Sequence, residues 1–148
     1  MSLDAAFALR AGRFSLDVAV EAHDEIVVLF GASGAGKSLT LRAIAGLVRP
    51  TSGRIVLDDE VLFDAARGID LPPEARRTGY VVQELALFPH LSVWENVAFA
   101  LPGQRADRRR RAEASLTALG LDGLGDRDPG TLSGGQRQRV ALARVLVR

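Results

Sequence analysis

The sequence contains no cysteine, one methionine, one tryptophan and one tyrosine in 148 residues. Without cysteine it has neither a disulfide framework nor thiolate metal sites, which suits a reducing compartment. No apolar run approaches the ~20 residues that a membrane-spanning helix requires. Residues Met1 to Phe14 lack the continuous apolar stretch of a secretory leader. The formal net charge is +1, so no bulk charge argues for nucleic acid or for an acidic partner. Repeats of solenoid period and low-complexity segments are absent as well. These absences lead to the expectation of a soluble, cytoplasmic protein. Apolar residues make up 47% of the chain, enough for the core of one ordinary domain or of part of a larger one. Lysine is nearly absent: of 19 basic residues, all but Lys37 are arginine.

That lysine lies in Gly31-Ala32-Ser33-Gly34-Ala35-Gly36-Lys37-Ser38, a full match to G-x-x-x-x-G-K-[ST]. Ile26 to Phe30 precede it, apolar and mostly β-branched or aromatic, and read as a buried strand. Leu39, Leu41, Ile44, Ala45 and Leu47 follow at helical spacing, with Gly46 as the stop. Strand, glycine loop and helix give the pattern its meaning. The glycines let backbone N–H groups curl around phosphate oxygens, and the helix N-terminus adds its positive end. Lys37 is placed for the β- and γ-phosphates, and the Ser38 hydroxyl for Mg²⁺. A compact ammonium fits the mouth of a tight anion nest where a planar guanidinium does not. A nucleoside triphosphate is the expected ligand. A guanine-specific Asn-Lys-x-Asp motif would need a second lysine, and there is none.

Upstream, Phe7, Leu9, Phe14, Leu16, Val18 and Val20 alternate as a hairpin turning at Ala11-Gly12. Downstream, Pro50 to Gly53 reads as a turn, and Arg54–Leu57 with Val61–Phe63 as a second hairpin around Asp58-Asp59. Ile55-Val56-Leu57-Asp58-Asp59-Glu60 imitates an apolar strand ending in magnesium-binding acids, but only three apolar residues precede the acids. A hairpin turn is the expected reading. Gly79 to Gln83 reads as a strand ending in a polar residue that can face a ligand at the sheet's carboxyl edge. Ser92-Val93-Trp94-Glu95 is a capping box opening a helix to about Leu101. Gln104 to Leu119 is a further helix stopped by Gly120. Its run Arg108 to Arg111 spreads around the helix and is expected to be a solvated surface rather than a nucleic-acid stripe. His23 and His90 have no partners at ligand spacing.

A second anion site follows at Leu132-Ser133-Gly134-Gly135-Gln136. Ser133 caps a helix, Gln136 completes the capping box, and Gly134 and Gly135 bare the backbone N–H groups. Two phosphate-type sites in one chain call for two ligands or a dimer.

With these motifs in this order the sequence resembles the ATP-binding subunits of ABC transporters along its whole length. Within that family, Gly53–Leu57, Val61–Asp64, Gly68–Pro72, Arg76–Tyr80 and Leu87–His90 look most like the molybdate importer ATPases. The resemblance implies an α/β P-loop NTPase fold: an ABC ATPase core with an N-terminal antiparallel β subdomain and a helical signature subdomain. Residues 1–84 would form the nucleotide-binding core and β subdomain, 85–134 the helical subdomain, and 135–148 a helix returning to the core. It implies ATP and Mg²⁺ as cofactors, with Gly31 to Ser38 and Leu39 around the phosphates. Lys37 and Gln83 would be catalytic, Gln83 joining Ser38 at the metal, and Phe14 is the candidate to stack on adenine. Leu39 departs from the family's frequent Ser or Thr.

Ser133, Gly134, Gly135 and Gln136 would close on the γ-phosphate held by a second copy in a head-to-tail dimer. Integral-membrane permease subunits are the other implied partner, which would place the protein on the inner face of the cell membrane. Leu85, Leu87, Phe88, Leu91 and Trp94 would line the groove for a permease helix, or else form ordinary core. The family's Walker B aspartate, catalytic glutamate and switch histidine do not occur, so the sequence reads as truncated before Walker B. The 148 residues alone are expected not to turn over ATP. A soluble, non-transport ABC ATPase and an inactive remnant are the competing readings.

Overall fold

Alternation of apolar and polar side chains over ten residues makes the first two strands. The computed structural model describes residues 1–12 and 14–147. β1 (Ser2–Ala11) and β2 (Phe14–His23) pair antiparallel from Ser2–His23 to Ala11–Phe14. Gly12 in the turn takes φ +61, a conformation that suits glycine. Ala5, Phe7 and Leu9 are buried on one face, and β2 alternates half-buried and exposed side chains throughout.

β3 (Ser52–Leu57) and β4 (Glu60–Asp64) form the second hairpin, and the short β5 (Ile69–Asp70) completes an antiparallel sheet of order β2-β1-β3-β4-β5. Asp58 turns this hairpin at φ +48, and its carboxylate accepts the Ser2 N–H at 2.7 Å. The acidic trio is therefore a hairpin turn, as expected. Gly53 belongs to β3 and not to the turn before it. At φ +97 it passes so close to β1 that a Cβ would overlap the Ala6 carbonyl and the Phe7 Cα. α1 (Lys37–Ile44) lays Thr40 and Ala43 against the core built from Phe7, Leu9, Ile55, Leu62 and Phe63.

The chain divides into two compact units, Met1–Tyr80 and Val81–Arg148. In the second, α2 (Val93–Ala98), α3 (Arg105–Ala118) and α4 (Gly134–Leu146) pack together. Their core is Val93, Trp94, Val97, Leu101, Leu116, Leu121, Leu132 and Val140. A three-residue 3₁₀ turn, Pro129–Thr131, leads into α4. The Ser92/Glu95 capping box is present, and the helix it opens ends at Ala98, earlier than its apolar spacing predicts. Among the described residues no helix is long and apolar enough to cross a membrane.

Two expected strands are not strands. Ile26 to Phe30 and Gly79 to Gln83 lie outside the sheet and pair with nothing among the described residues. Ile26 and Phe30 are 93% and 99% exposed. An apolar pattern reports the burial a segment requires, but the ladder bonds that make it a strand must come from a neighbour. The five strands pair in the order β2-β1-β3-β4-β5, and none of them pairs with either segment. Val27 and Tyr80 instead line an open cavity of about 350 Å³ with Leu3, Leu41, Ile44 and Leu57.

The arginine run also differs from expectation. It spreads around α3, but only Arg110 is fully exposed. Arg108 donates to the Ala98 carbonyl and Arg111 to that of Val147. Arg109 bonds Asp126 and Glu113 while lying 5.3 Å from the Trp94 ring centroid. Each guanidinium finds an acceptor, Arg110 pairing with Asp107, and Arg109 also covers the Trp94 ring.

Candidate functional site

The glycine loop begins at exposed Gly31 and ends where Gly36, at φ +95, serves as the N-cap of α1. Gly34 is likewise left-handed at φ +82. Within the loop the Ala35 N–H donates to the Ala32 carbonyl at 3.2 Å. The loop carbonyls turn inward to meet the ammonium: Lys37 Nζ donates to Gly31 at 2.7 Å and Ala32 at 2.8 Å. One lysine thus ties both ends of the loop together and holds its charge at the loop's mouth.

The start of α1 is left open to an anion. Gly36 supplies no side-chain cap, and the first turn carries no acid. The leading N–H groups therefore have neither an intrahelical acceptor nor a neutralising carboxylate. The Ser38 hydroxyl is exposed beside them, while Thr40 turns inward and donates to the Gly36 carbonyl. Leu39 packs against the core of its unit, so its side chain belongs to the fold. Phe14 comes close: a Cβ on Gly36 would sit 3.2 Å from its Cζ and 2.9 Å from Leu16 Cδ1. The hairpin thereby lays an aromatic edge against the loop.

In the second unit Ser133 caps α4, accepting the Gln136 N–H at 3.3 Å, and Gln136 Oε1 accepts the Ser133 N–H at 2.9 Å. Leu132 is buried as the anchor, with its carbonyl held by Arg137 at 2.6 Å. Gly134 and Gly135 are informative for a negative reason. Neither takes a positive φ, and a Cβ on either would meet nothing within 4 Å. Nothing in the described residues requires glycine there, and both positions are exposed at the start of α4. Gln83 stands exposed in a turn at the start of this unit.

Trp94 is buried core beneath Arg105 and Arg109. Leu87 packs against the same core, whereas Phe88 stacks on exposed Phe99 with ring centroids 4.4 Å apart. Sequence reasoning missed three polar residues that hold the sites in place. Arg76, 2% exposed, donates to the carbonyls of Ala43, Ile44 and Leu71 and pairs with Asp70 at 3.0 Å. It closes the C-terminal end of the phosphate-loop helix, and burial pushes its pKa down against the pull of Asp70. Asn96, fully buried, ties Phe88, Leu91 and Ser92 to α2. Arg144 holds the carbonyls of Leu85 and Ala86. No local sequence signal marks them, because most of their partners are backbone carbonyls, which every residue type carries.

Comparison with known proteins agrees with this geometry. The profile of the ABC transporter family matches residues 15–148. The molybdenum import ATP-binding protein ModC of Rhodospirillum rubrum is 50% identical over 137 residues, covering 92% of this chain and 37% of its own length. The molybdate/tungstate import ATP-binding protein WtpC of Archaeoglobus fulgidus is 48% identical, covering 93% of this chain and 55% of its own. The chain spans about two fifths of the length of the ModC relatives it matches. Among solved structures, a dimeric post-hydrolysis ATP-binding cassette bound to ADP and Pi superimposes with a TM-score of 0.73 at 29% identity. That alignment covers 99% of this chain and 69% of the other. A dimeric bacterial ABC transporter cassette gives 0.72 at 30% identity. The chain belongs to the ABC transporter family.

Proposed function

We propose that this chain supplies the nucleotide-binding part of an ATP-hydrolysing importer subunit that serves molybdate or a related oxyanion. The observation that carries this reading is the open N-terminus of α1: its leading N–H groups have no side-chain cap, the Lys37 ammonium is held by the Gly31 and Ala32 carbonyls of the same loop, and Ser38 is exposed in the first turn. Triphosphate needs N–H donors around its oxygens and a positive charge at the β- and γ-phosphates, and this loop offers both. Phe14 beside Gly36 supports an adenine-stacking role at the same mouth.

Mg²⁺ fits the donor set. It is held by few protein oxygens together with phosphate oxygens, and Ser38 presents such an oxygen; Gln83 is the second residue we assign to it. When bound, the metal neutralises charge developing on the transferred phosphoryl group. Ser133, Gly134, Gly135 and Gln136 serve the nucleotide of a second copy. The glycines with nothing among the described residues within 4 Å of a Cβ support that assignment, as do the dimeric cassettes among the similar structures. Import of an oxyanion rests on the ModC and WtpC relatives. It brings membrane permease subunits as partners and a place on the cytoplasmic face of the membrane.

The test is calorimetric titration with MgATP. Lys37→Ala removes the ammonium facing the anion and is expected to cost about 2–4 kcal/mol, a roughly 30- to 1000-fold weaker Kd. Equal affinity in both proteins would sink the assignment.

A further inference from the structure

Leu85 and Ala86 stand at φ +60 and +44, adjacent and neither a glycine. A left-handed leucine or alanine is disfavoured, and two in a row persist only where their surroundings fix them. Bonding within the segment is slight: the Leu85 N–H reaches the Val82 carbonyl, and the Ala86 N–H that of Glu84. The fixing group comes from α4. Arg144 donates through Nη2 to the Leu85 carbonyl and through Nη1 to the Ala86 carbonyl, both at 2.8 Å. Its guanidinium also lies 5.6 Å from the Phe88 ring centroid. On the far side, Asn96 holds both the N–H and the carbonyl of Phe88. The segment from Leu85 to Phe88 is thus tied to α4 at one end and to α2 at the other.

We propose that Arg144 is a positioning residue for Gln83. By holding the left-handed pair it fixes the direction in which the chain leaves Gln83 and Glu84, and it joins that turn to the helix capped by Ser133. The planar fork of arginine spans two successive carbonyls at once, which a lysine ammonium cannot do with the same geometry. At 1.5 Å per residue, Arg144 and the capped end are roughly 16 Å apart along one helix. A shift imposed on Ser133 is carried along the rod to the turn at Gln83. What Gln83 and Ser133 touch rests on the proposed function; the fixing of the turn stands apart from it.

The test reads backbone order and needs no nucleotide, so its failure is distinct from failure of the functional reading. Amide hydrogen exchange is measured on the 148-residue chain, wild type against Arg144→Ala and Arg144→Lys. Both variants are expected to speed exchange at residues 84–88 roughly tenfold or more, the scale of a lost charge-assisted hydrogen bond, with α3 unchanged. The variant carrying Leu85→Gly and Ala86→Gly adopts the left-handed pair without side-chain strain. In that background Arg144→Ala should cost several-fold less, read as the urea midpoint of Trp94 fluorescence. Should Arg144→Ala fail to fold, Arg144→Lys carries both comparisons, since it keeps the charge and the aliphatic stem. Unchanged exchange at 84–88 overturns the proposal. So does equal acceleration throughout α2, α3 and α4, or a cost that the two glycines leave intact.

Discussion

Asn96 offers a direct measurement of what one buried amide contributes to the helical unit. Its Nδ2 faces the carbonyls of Phe88, Leu91 and Ser92 at 3.0, 3.0 and 3.1 Å, and its Oδ1 accepts the Phe88 N–H at 2.8 Å. Three carbonyls around one end of the side chain fix which end is the amino group. Asn96→Ala removes all four bonds, but the partners do not all become orphans. The Ser92 carbonyl keeps the Asn96 backbone N–H at 2.9 Å, and the Phe88 carbonyl keeps the Leu91 N–H at 3.2 Å. The Phe88 N–H has no second acceptor among the described residues. One unsatisfied donor costs about 1–3 kcal/mol. With the three remaining bonds at about 1 kcal/mol net each, the total is about 4–6 kcal/mol before the cavity left by truncation is counted. A unit of this size has roughly 3–10 kcal/mol of stability in all, so the change is large. Trp94, the sole tryptophan, lies in the same core and reports the transition without a label. The urea midpoint is expected to fall by about 1–3 M at constant slope. Asn96→Asp keeps the shape but aims a carboxylate at three carbonyls, and must cost at least as much at neutral pH. A midpoint within about 0.3 M of wild type for Asn96→Ala would refute the reasoning.

Arg76→Met should destabilise the first unit by about 2–4 kcal/mol, because it takes the guanidinium donors from the Ile44 and Leu71 carbonyls and leaves Asp70 only the exposed Arg49; loss of sheet circular dichroism on heating reads it, and an unchanged melt contradicts it. Gly53→Ala should unpair β3 from β1, since the new methyl collides with backbone that cannot move; a soluble variant with wild-type amide protection at Ala6 and Phe7 would disprove that. The Glu95 carboxylate is held below its ordinary 4.5 by the Ser92 backbone N–H first, then by the Ser92 hydroxyl and Arg105. Its contribution is present above that ordinary value and disappears as pH falls through the lowered one. The Trp94 urea midpoint should therefore drop more between about pH 6 and pH 3 in wild type than in Glu95→Gln, which keeps an acceptor for the cap but does not titrate. Parallel pH profiles would count against it.

Much of the local chemistry was legible in the amino-acid sequence. The phosphate loop, both capping boxes, the two hairpins and the boundaries of α3 depend on residues within a few positions of one another, and backbone sterics act at that range. The glycines at 34 and 36 by themselves declare a left-handed loop, and the lone lysine declares where the charge belongs. The sequence also implied that Gly134 and Gly135 face outward, since a capped helix start exposes its first N–H groups whatever lies elsewhere.

Partnership across the chain was decided by tertiary structure alone. Ile26–Phe30 has the composition of a strand, yet a strand exists only with a neighbour to complete its ladder. The fate of that segment therefore cannot be read from the segment itself. Trp94 reads equally well as a docking aromatic or as core until Arg105 and Arg109 close over it in the folded chain. Arg76, Asn96 and Arg144 look like ordinary polar residues because most of their acceptors are backbone carbonyls, which every residue type carries. A hydrogen bond to a carbonyl leaves no trace in the identity of its partner, so only the folded chain reveals it.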